Sequence, residues 1–373
     1  MKRLICILLA SLFLFSFCAC GSKKGGSKSD STTSEKATTT AEKETTEEVV
    51  TAEVEIKTNT ANEEGIDYWF GRNGKKYDKT KALASFTEAS KNGCADAYYW
   101  MGIVTERDDD FERWDKVKAY METAKEKGSD YGILGVAWGY YYGKPYERDY
   151  AKVKELAEES IKNEGLCGYL LLGLLYKNGY GVSTDPQKAI ENFEKLTVSD
   201  DWYLRNYALQ NMGTMYEYGV DTGDESTSLP VNLEKAKSYF EQCLKDDYKS
   251  AGVQMASLYD DQKLGNDPKK AFEYTQIAAE SGNYYTLGLA YLYGKGVTQD
   301  YAKAMELFQK DMEEGKCVAF DMYAIAWMYA KGYGVEQDNE EALDWCADCI
   351  DMAGWGDSSV VSNAKQMTEN HSK

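Results

Sequence analysis

The chain has 373 residues and carries 43 Lys+Arg against 62 Asp+Glu, a formal net charge of −19. That balance argues against DNA or RNA as the main ligand, because nucleic-acid binding rests on neutralising phosphates with Lys and Arg. One histidine, His371 in the terminal tail, argues against Ser-His-Asp triads, histidine-dependent acid–base chemistry and histidine-ligated zinc.

Lys2 and Arg3 precede an apolar run from Leu4 to Phe17. A bilayer span takes about 20 residues, so a positive start, a short apolar stretch and a small-residue exit read as a secretory signal over 1–19. The exit Phe17-Cys18-Ala19-Cys20-Gly21-Ser22 resembles the lipobox of bacterial lipoproteins, in which the cysteine after the cleaved bond is acylated. Phe17 departs from that pattern, where Leu is usual. A plain secretory signal cut nearby is the alternative. The resemblance implies lipidation at Cys20, a membrane held through the lipid anchor, and the extracytoplasmic face of the cell envelope. Residues 20–64 read as a tether: Gly21 to Glu64 holds 10 Thr and 5 Ser and no aromatic residue, too little apolar surface to order itself. A flexible coil of that length spans roughly 35 Å.

From Gly65 the chain repeats itself, and repeats decide the fold when present. Lys81-Ala82, Lys188-Ala189, Lys235-Ala236, Lys270-Ala271 and Lys303-Ala304 recur, with Lys116-Val117, Lys152-Val153 and Glu341-Ala342 in matching places. Three residues before each stand Asp78, Arg113, Asp149, Asp185, Asn232, Asp267, Asp300 and Asp338, in steps of 35, 36, 36, 47, 35, 33 and 38 residues. Asp and Asn are helix N-cap residues, and Pro186 and Pro268 follow two of them where proline is favoured. Gly93, Gly128, Gly165, Gly282, Gly315 and Gly354 are expected stops for these helices. A second class of helix precedes each cap. Its mark is a small residue with an aromatic three places later: Gly173 and Tyr176, Gly213 and Tyr216, Ala256 and Tyr259, Gly288 and Tyr291, Ala326 and Tyr329. The small residue lets a paired helix approach.

A period near 36, a Leu-Gly-x-x-Tyr first helix, a Gly-x-Gly-Val loop (Gly179 to Val182, Gly294 to Val297, Gly332 to Val335) and Asp-x-x-Lys-Ala with a following aromatic resemble Sel-one-like repeats (SLR), relatives of tetratricopeptide repeats. The resemblance covers Gly65 to Gly354. It implies an all-α fold, an α-solenoid of eight antiparallel helix pairs over 65–354, with a C-terminal cap and tail over 355–373. It also implies first helices lining a concave face, and an adaptor role with no catalytic residue and no cofactor. Units near Cys94 and Ser129 are degenerate, and the unit near Trp202 carries an insert at Asp221 to Val231.

By repeat register Phe86, Phe193, Phe240 and Phe308 are core seats on the second helices. Cys346 falls in the same seat, while Cys349 and Cys243 fall in a small seat beside it. Burial therefore explains the Cys346-x-x-Cys349 spacing better than metal or redox chemistry. If the units follow tetratricopeptide geometry, the inner face takes positions three before, one after, and four or five after the small residue. Those places hold Tyr99, Trp138, Tyr141, Tyr142, Tyr218, Tyr285, Tyr293, Tyr323 and Trp327, with Glu217, Asp260 and Asp261 beside them. About half of these aromatics are expected to be exposed. Aromatic side chains dominate binding hot spots, so the face is expected to take a protein or peptide partner, with a cell-wall glycan as the alternative and an envelope hydrolase or β-lactam-binding enzyme less favoured. The insert Asp221 to Glu225 reads as a solvated loop without cation-site spacing.

Overall fold

The computed structural model describes residues 60–106, 113–260, 263–314 and 318–352, together with 362–363 and 366–367. Cys20, the tether before residue 60, Asp261, Gly315, Gly354 and nearly all of 355–373 lie outside these residues.

Among the described residues, sixteen α-helices form eight consecutive pairs, as the sequence predicts. Unit 1 is α1 (60–70) and α2 (Lys79–Lys91); unit 2 is α3 (Ala95–Thr105) and α4 (Arg113–Glu126); unit 3 is α5 (Asp130–Tyr142) and α6 (Tyr150–Lys162). Unit 4 is α7 (Cys167–Asn178) and α8 (Pro186–Thr197); unit 5 is α9 (Trp202–Tyr218) and α10 (Leu233–Lys245); unit 6 is α11 (Gly252–Asp260) and α12 (Pro268–Glu280). Units 7 and 8 are α13 (Tyr285–Tyr293) with α14 (Tyr301–Glu313), and α15 (Val318–Lys331) with α16 (Asn339–Met352). Each first helix packs on its own second helix and on its neighbours in the array.

The repeated residues have repeated jobs. Asp78, Asp149, Asp185, Asn232, Asp267, Asp300 and Asp338 each accept a hydrogen bond from the backbone N–H three residues on, at 2.9–3.1 Å. Such a cap is worth about 1 kcal/mol. The backbone N–H of each cap in turn donates to the carbonyl of a tyrosine on the first helix: Tyr68, Tyr140, Tyr176, Tyr216, Tyr259, Tyr291 and Tyr329. In units 1, 4, 5 and 6 the lysine of the Lys-Ala pair lies over that tyrosine's ring, with Lys235 at 4.1 Å from Tyr216 and Lys270 at 4.3 Å from Tyr259. Cap, tyrosine and lysine thus form one clasp that sets the turn between paired helices.

The small residue is a seat for a ring. A Cβ added to Gly65, Gly173, Gly213 or Gly288 would stand within 3 Å of Phe86, Phe193, Phe240 or Phe308 respectively, and all four rings are fully buried. The helix stop at Gly165 differs from expectation. The left-handed residue there is Glu164, with φ 62°. Gly165 is instead required by a close neighbour, because a Cβ would strike the carboxyl of Asp130, which accepts from Ser160 Oγ and from the N–H of Cys167.

The array curls until its first unit meets its later ones. Phe70 of α1 packs on Trp100, Trp202, Tyr203 and Tyr248, at ring distances of 5.3–6.2 Å. Trp100 reaches Tyr203 at 6.3 Å, and the Tyr131 hydroxyl donates to Asp201 at 2.7 Å. Lys249 Nζ donates to the carbonyl of Gly71, and the Tyr77 hydroxyl to that of Glu314. One continuous core runs from Ile66 to Ala271, while the buried residues of units 7 and 8 form two smaller clusters. No helix among the described residues is long and apolar enough to cross a membrane.

Candidate partner-binding face

The curl decides which inner-face residues remain open. Tyr99 is fully buried, wedged between Trp100 and Tyr131 at 5.2 Å from each. Tyr141 is buried as well; its hydroxyl accepts from Asn178 Nδ2 at 2.8 Å, and burial pushes its phenol well above the usual tyrosine range. These two expected contact residues are therefore core. Closure acts beside Tyr99, where α1 and α9 face α3 and Trp100 meets Phe70 and Tyr203; Tyr141 is covered locally, by Trp138, Tyr142, Tyr150 and Tyr180 of its own and the next unit.

Of the other seven only one is exposed, fewer than the half expected from the sequence. Trp138, Tyr142, Tyr218, Tyr285, Tyr323 and Trp327 are half-buried, and Tyr293 is 51% exposed. Trp138 and Tyr142 stack at 5.4 Å, and Trp138 also approaches Tyr207 at 6.3 Å. In units 7 and 8, Trp327 lies 6.1 Å from Tyr293 and 5.1 Å from Tyr333, which stacks on Tyr301 at 4.7 Å. Tyr285 is held between Phe308 and Phe320, a contact between units. The expected carboxylates are neutralised: Glu217, only 4% exposed, pairs with Lys263 at 2.7 Å, and Asp260 pairs with Lys295.

Between α7 and α9 the face opens into a cleft of about 250 Å³, lined by Lys177, Asn178, Tyr207, Gln210, Asn211, Thr214, Met215, Tyr218, Gly219 and Val220. Of these, only Tyr218 is among the residues expected from sequence. Lys177 and Asn178 stand four and five after Gly173, while Gln210 and Thr214 stand three before and one after Gly213. The same register rule places them on the face, where only aromatics and carboxylates stand out from the sequence. Lys177 Nζ donates to Asn211 Oδ1 at 2.9 Å, and burial pushes the Lys177 amine down to about 8.

The cysteines behave as core residues. Cys243, Cys346 and Cys349 are fully buried free thiols. Burial pushes Cys346 up to about 11 and Cys349 up to about 12, so both are protonated and weakly nucleophilic at neutral pH. Cys349 Sγ donates to the carbonyl of Ala319 at 3.2 Å, and Cys346 lies 3.6 Å from Met367 Sδ. Among the described residues no group of His, Cys, Asp or Glu could hold a metal ion. The Asp221 to Glu225 insert is largely exposed, and Asp221 and Asp224 accept from the loop's own backbone.

Six stretches of the chain match the family model described as Sel1 repeat: residues 132–160, 168–196, 206–242, 252–283, 284–310 and 319–347. They fall on units 3 to 8. The ERAD-associated E3 ubiquitin-protein ligase component HRD3B of Arabidopsis thaliana is 26% identical over 112 residues, covering 26% of this chain and 18% of that protein. Two of the solved structures similar to this chain serve as examples. One is a protective antigen with an SLR fold from uropathogenic Escherichia coli, with 22% identity, TM-score 0.45 and coverage of 84% of this chain and 68% of that one. The other is a Sel1 repeat protein from Oxalobacter formigenes, with 21% identity, TM-score 0.47 and coverage of 64% and 95%.

Proposed function

This chain is a Sel1-repeat protein, and we propose that it is a scaffold whose remaining open inner face, from unit 3 to unit 8, binds a protein or peptide partner at the cell envelope. Proteins built from these repeats generally act as protein-interaction scaffolds. The observation that carries the reading is the strip of accessible aromatics at both ends of this face, Trp138 with Tyr142 and Trp327 with Tyr293. Tyr and Trp supply large contact area at low entropic cost. The rings lie on helices rather than loops, so the surface is ordered before a partner arrives and little ordering cost remains. The acidic surround favours a partner whose flanks are basic and speeds its approach.

Anchoring belongs to the same proposal. A lipidated Cys20 and a tether reaching roughly 35 Å would hold the solenoid clear of the membrane surface. Mass measurement of the mature N-terminus tests this: a diacylglyceryl mass on Cys20 supports it, and an unmodified N-terminus elsewhere removes it.

The partner reading is tested by capture from detergent-solubilised envelope with the full chain, followed by affinity measurement with the recovered protein. The double substitution Trp138→Ala and Trp327→Ala is expected to weaken binding at least tenfold, since each anchor is worth about 1–2 kcal/mol or more. Unchanged affinity with an unchanged circular dichroism spectrum contradicts it. Saturable quenching of Trp fluorescence by wall oligosaccharides would instead favour a glycan.

A further inference from the structure

We propose that the cleft between α7 and α9 is a carboxylate site that receives one carboxylate of the partner peptide; this inference rests on the scaffold reading and names the chemistry of one of its contacts. None of the ten residues lining the cleft is acidic, in a chain with 62 Asp and Glu. Its single cation, Lys177, has no ion pair among the described residues and meets only the neutral Asn211 Oδ1. The next lysine along the groove shows the contrast: Lys263 is neutralised by Glu217 at 2.7 Å.

The neighbouring groups are set for an anion. Asn211 donates its own Nδ2 to the carbonyl of Tyr207 at 2.9 Å, which fixes its oxygen toward Lys177 and holds the ammonium in place. Gln210 is 5% exposed and accepts from the Tyr248 hydroxyl at 3.4 Å through Oε1, while its Nε2 makes no hydrogen bond among the described residues. With Oε1 occupied, the accessible Nε2 is the donor that Gln210 can present to a ligand. An ammonium with spare N–H groups and an unpaired carboxamide N–H therefore open on one cleft walled by Tyr207, Met215 and Tyr218.

The charge count selects the ligand. One cation balances one negative charge, which fits a carboxylate; a phosphate dianion would leave a charge uncompensated in a partly desolvated site. Burial already disfavours the charged Lys177, whose amine is pushed down to about 8, so an arriving carboxylate stabilises the ammonium and moves its titration upward.

The test uses the full chain with lysine labelled at Cε and read by NMR, the Lys177 signal being identified by its loss in Lys177→Arg. Three probes are N-acetyl-tyrosyl-glutamate amide, N-acetyl-tyrosyl-glycine with a free C-terminus, and the neutral N-acetyl-tyrosyl-glutamine amide. At least one carboxylate probe is expected to saturate and move the Lys177 titration up by about one pH unit or more, equivalent to tenfold tighter binding to the charged form. The neutral probe is expected to leave it in place. Which acid acts tells a side-chain carboxylate from a chain terminus. Lys177→Met is expected to lose binding measured by calorimetry and Lys177→Arg to keep it. The proposal is overturned if neither acid moves the titration, if the neutral probe moves it equally, or if Lys177→Met binds unchanged. A failure here, alongside partner capture that still depends on Trp138 and Trp327, removes the carboxylate and leaves the scaffold reading standing.

Discussion

Asp321 shows how single residues record the packing of whole units. It is fully buried at the start of α15, and its two oxygens accept from no donor among the described residues. Burial first, and then the neighbouring Asp311 carboxylate, hold it well above the usual carboxylate range. Asp311 is differently served, since its Oδ1 accepts from the N–H groups of Tyr284 and Tyr285. The pair therefore keeps a proton in the folded state that the unfolded chain releases. A raised folded-state pKa means stability that is present at low pH and lost as pH rises through that pKa. Asp321→Asn is expected to flatten the fall of the denaturant midpoint that sets in as pH rises above the usual carboxylate range; an unaltered pH profile would show that the proton is not held there. Residue roles of this kind were only partly legible in the sequence. The caps were, because an N-cap is a local device three residues long. Lys177 and Gln210 were not singled out, because a polar residue on a helix face announces nothing until its neighbours in other units are known.

The clasp and the ring seat explain at the level of helices why the units repeat so faithfully. Gly173 is the seat for Phe193, with a would-be Cβ at 2.4 Å from the ring. Alanine is the better helix former by about 1 kcal/mol, yet Gly173→Ala is expected to destabilise by about 1–3 kcal/mol through overpacking. Thermal unfolding checks this, and adding Phe193→Leu should recover part of the loss by making room. A stabilised Gly173→Ala would mean that the helices separate at little cost. The pairs and their order were readable in the sequence because each landmark serves contacts inside one unit, but α1 begins at residue 60, inside the stretch read as tether. The helix stop at Glu164 was not, since Asp130, 34 residues before it, occupies the space beside Gly165.

The whole molecule departs from a simple open solenoid, in which each unit touches only its neighbours. Phe70 ties unit 1 to units 2, 5 and 6 through Trp100, Trp202, Tyr203 and Tyr248. Phe70→Ala is expected to cost about 3–5 kcal/mol and to speed amide exchange in α9 and α11 as well as in α1 and α3. Effects confined to units 1 and 2 would contradict closure. Repeat register alone could not reveal this, because the tightness of the curl comes from side chains that meet across the array. Tyr99 became core beside the Trp100 that meets Phe70 and Tyr203, and Tyr141 through tyrosines of its own and the next unit, while Tyr218 and Trp327 stayed accessible. Partner binding by the remaining open face is tested most directly by site-specific photocrosslinking in the native envelope. A photoreactive phenylalanine at Tyr218, on the inner face, is expected to capture a discrete protein, whereas the same group at Val198, 86% exposed at the end of α8, is expected to capture none. Equal capture at both positions, or capture at Val198 alone, would contradict the account.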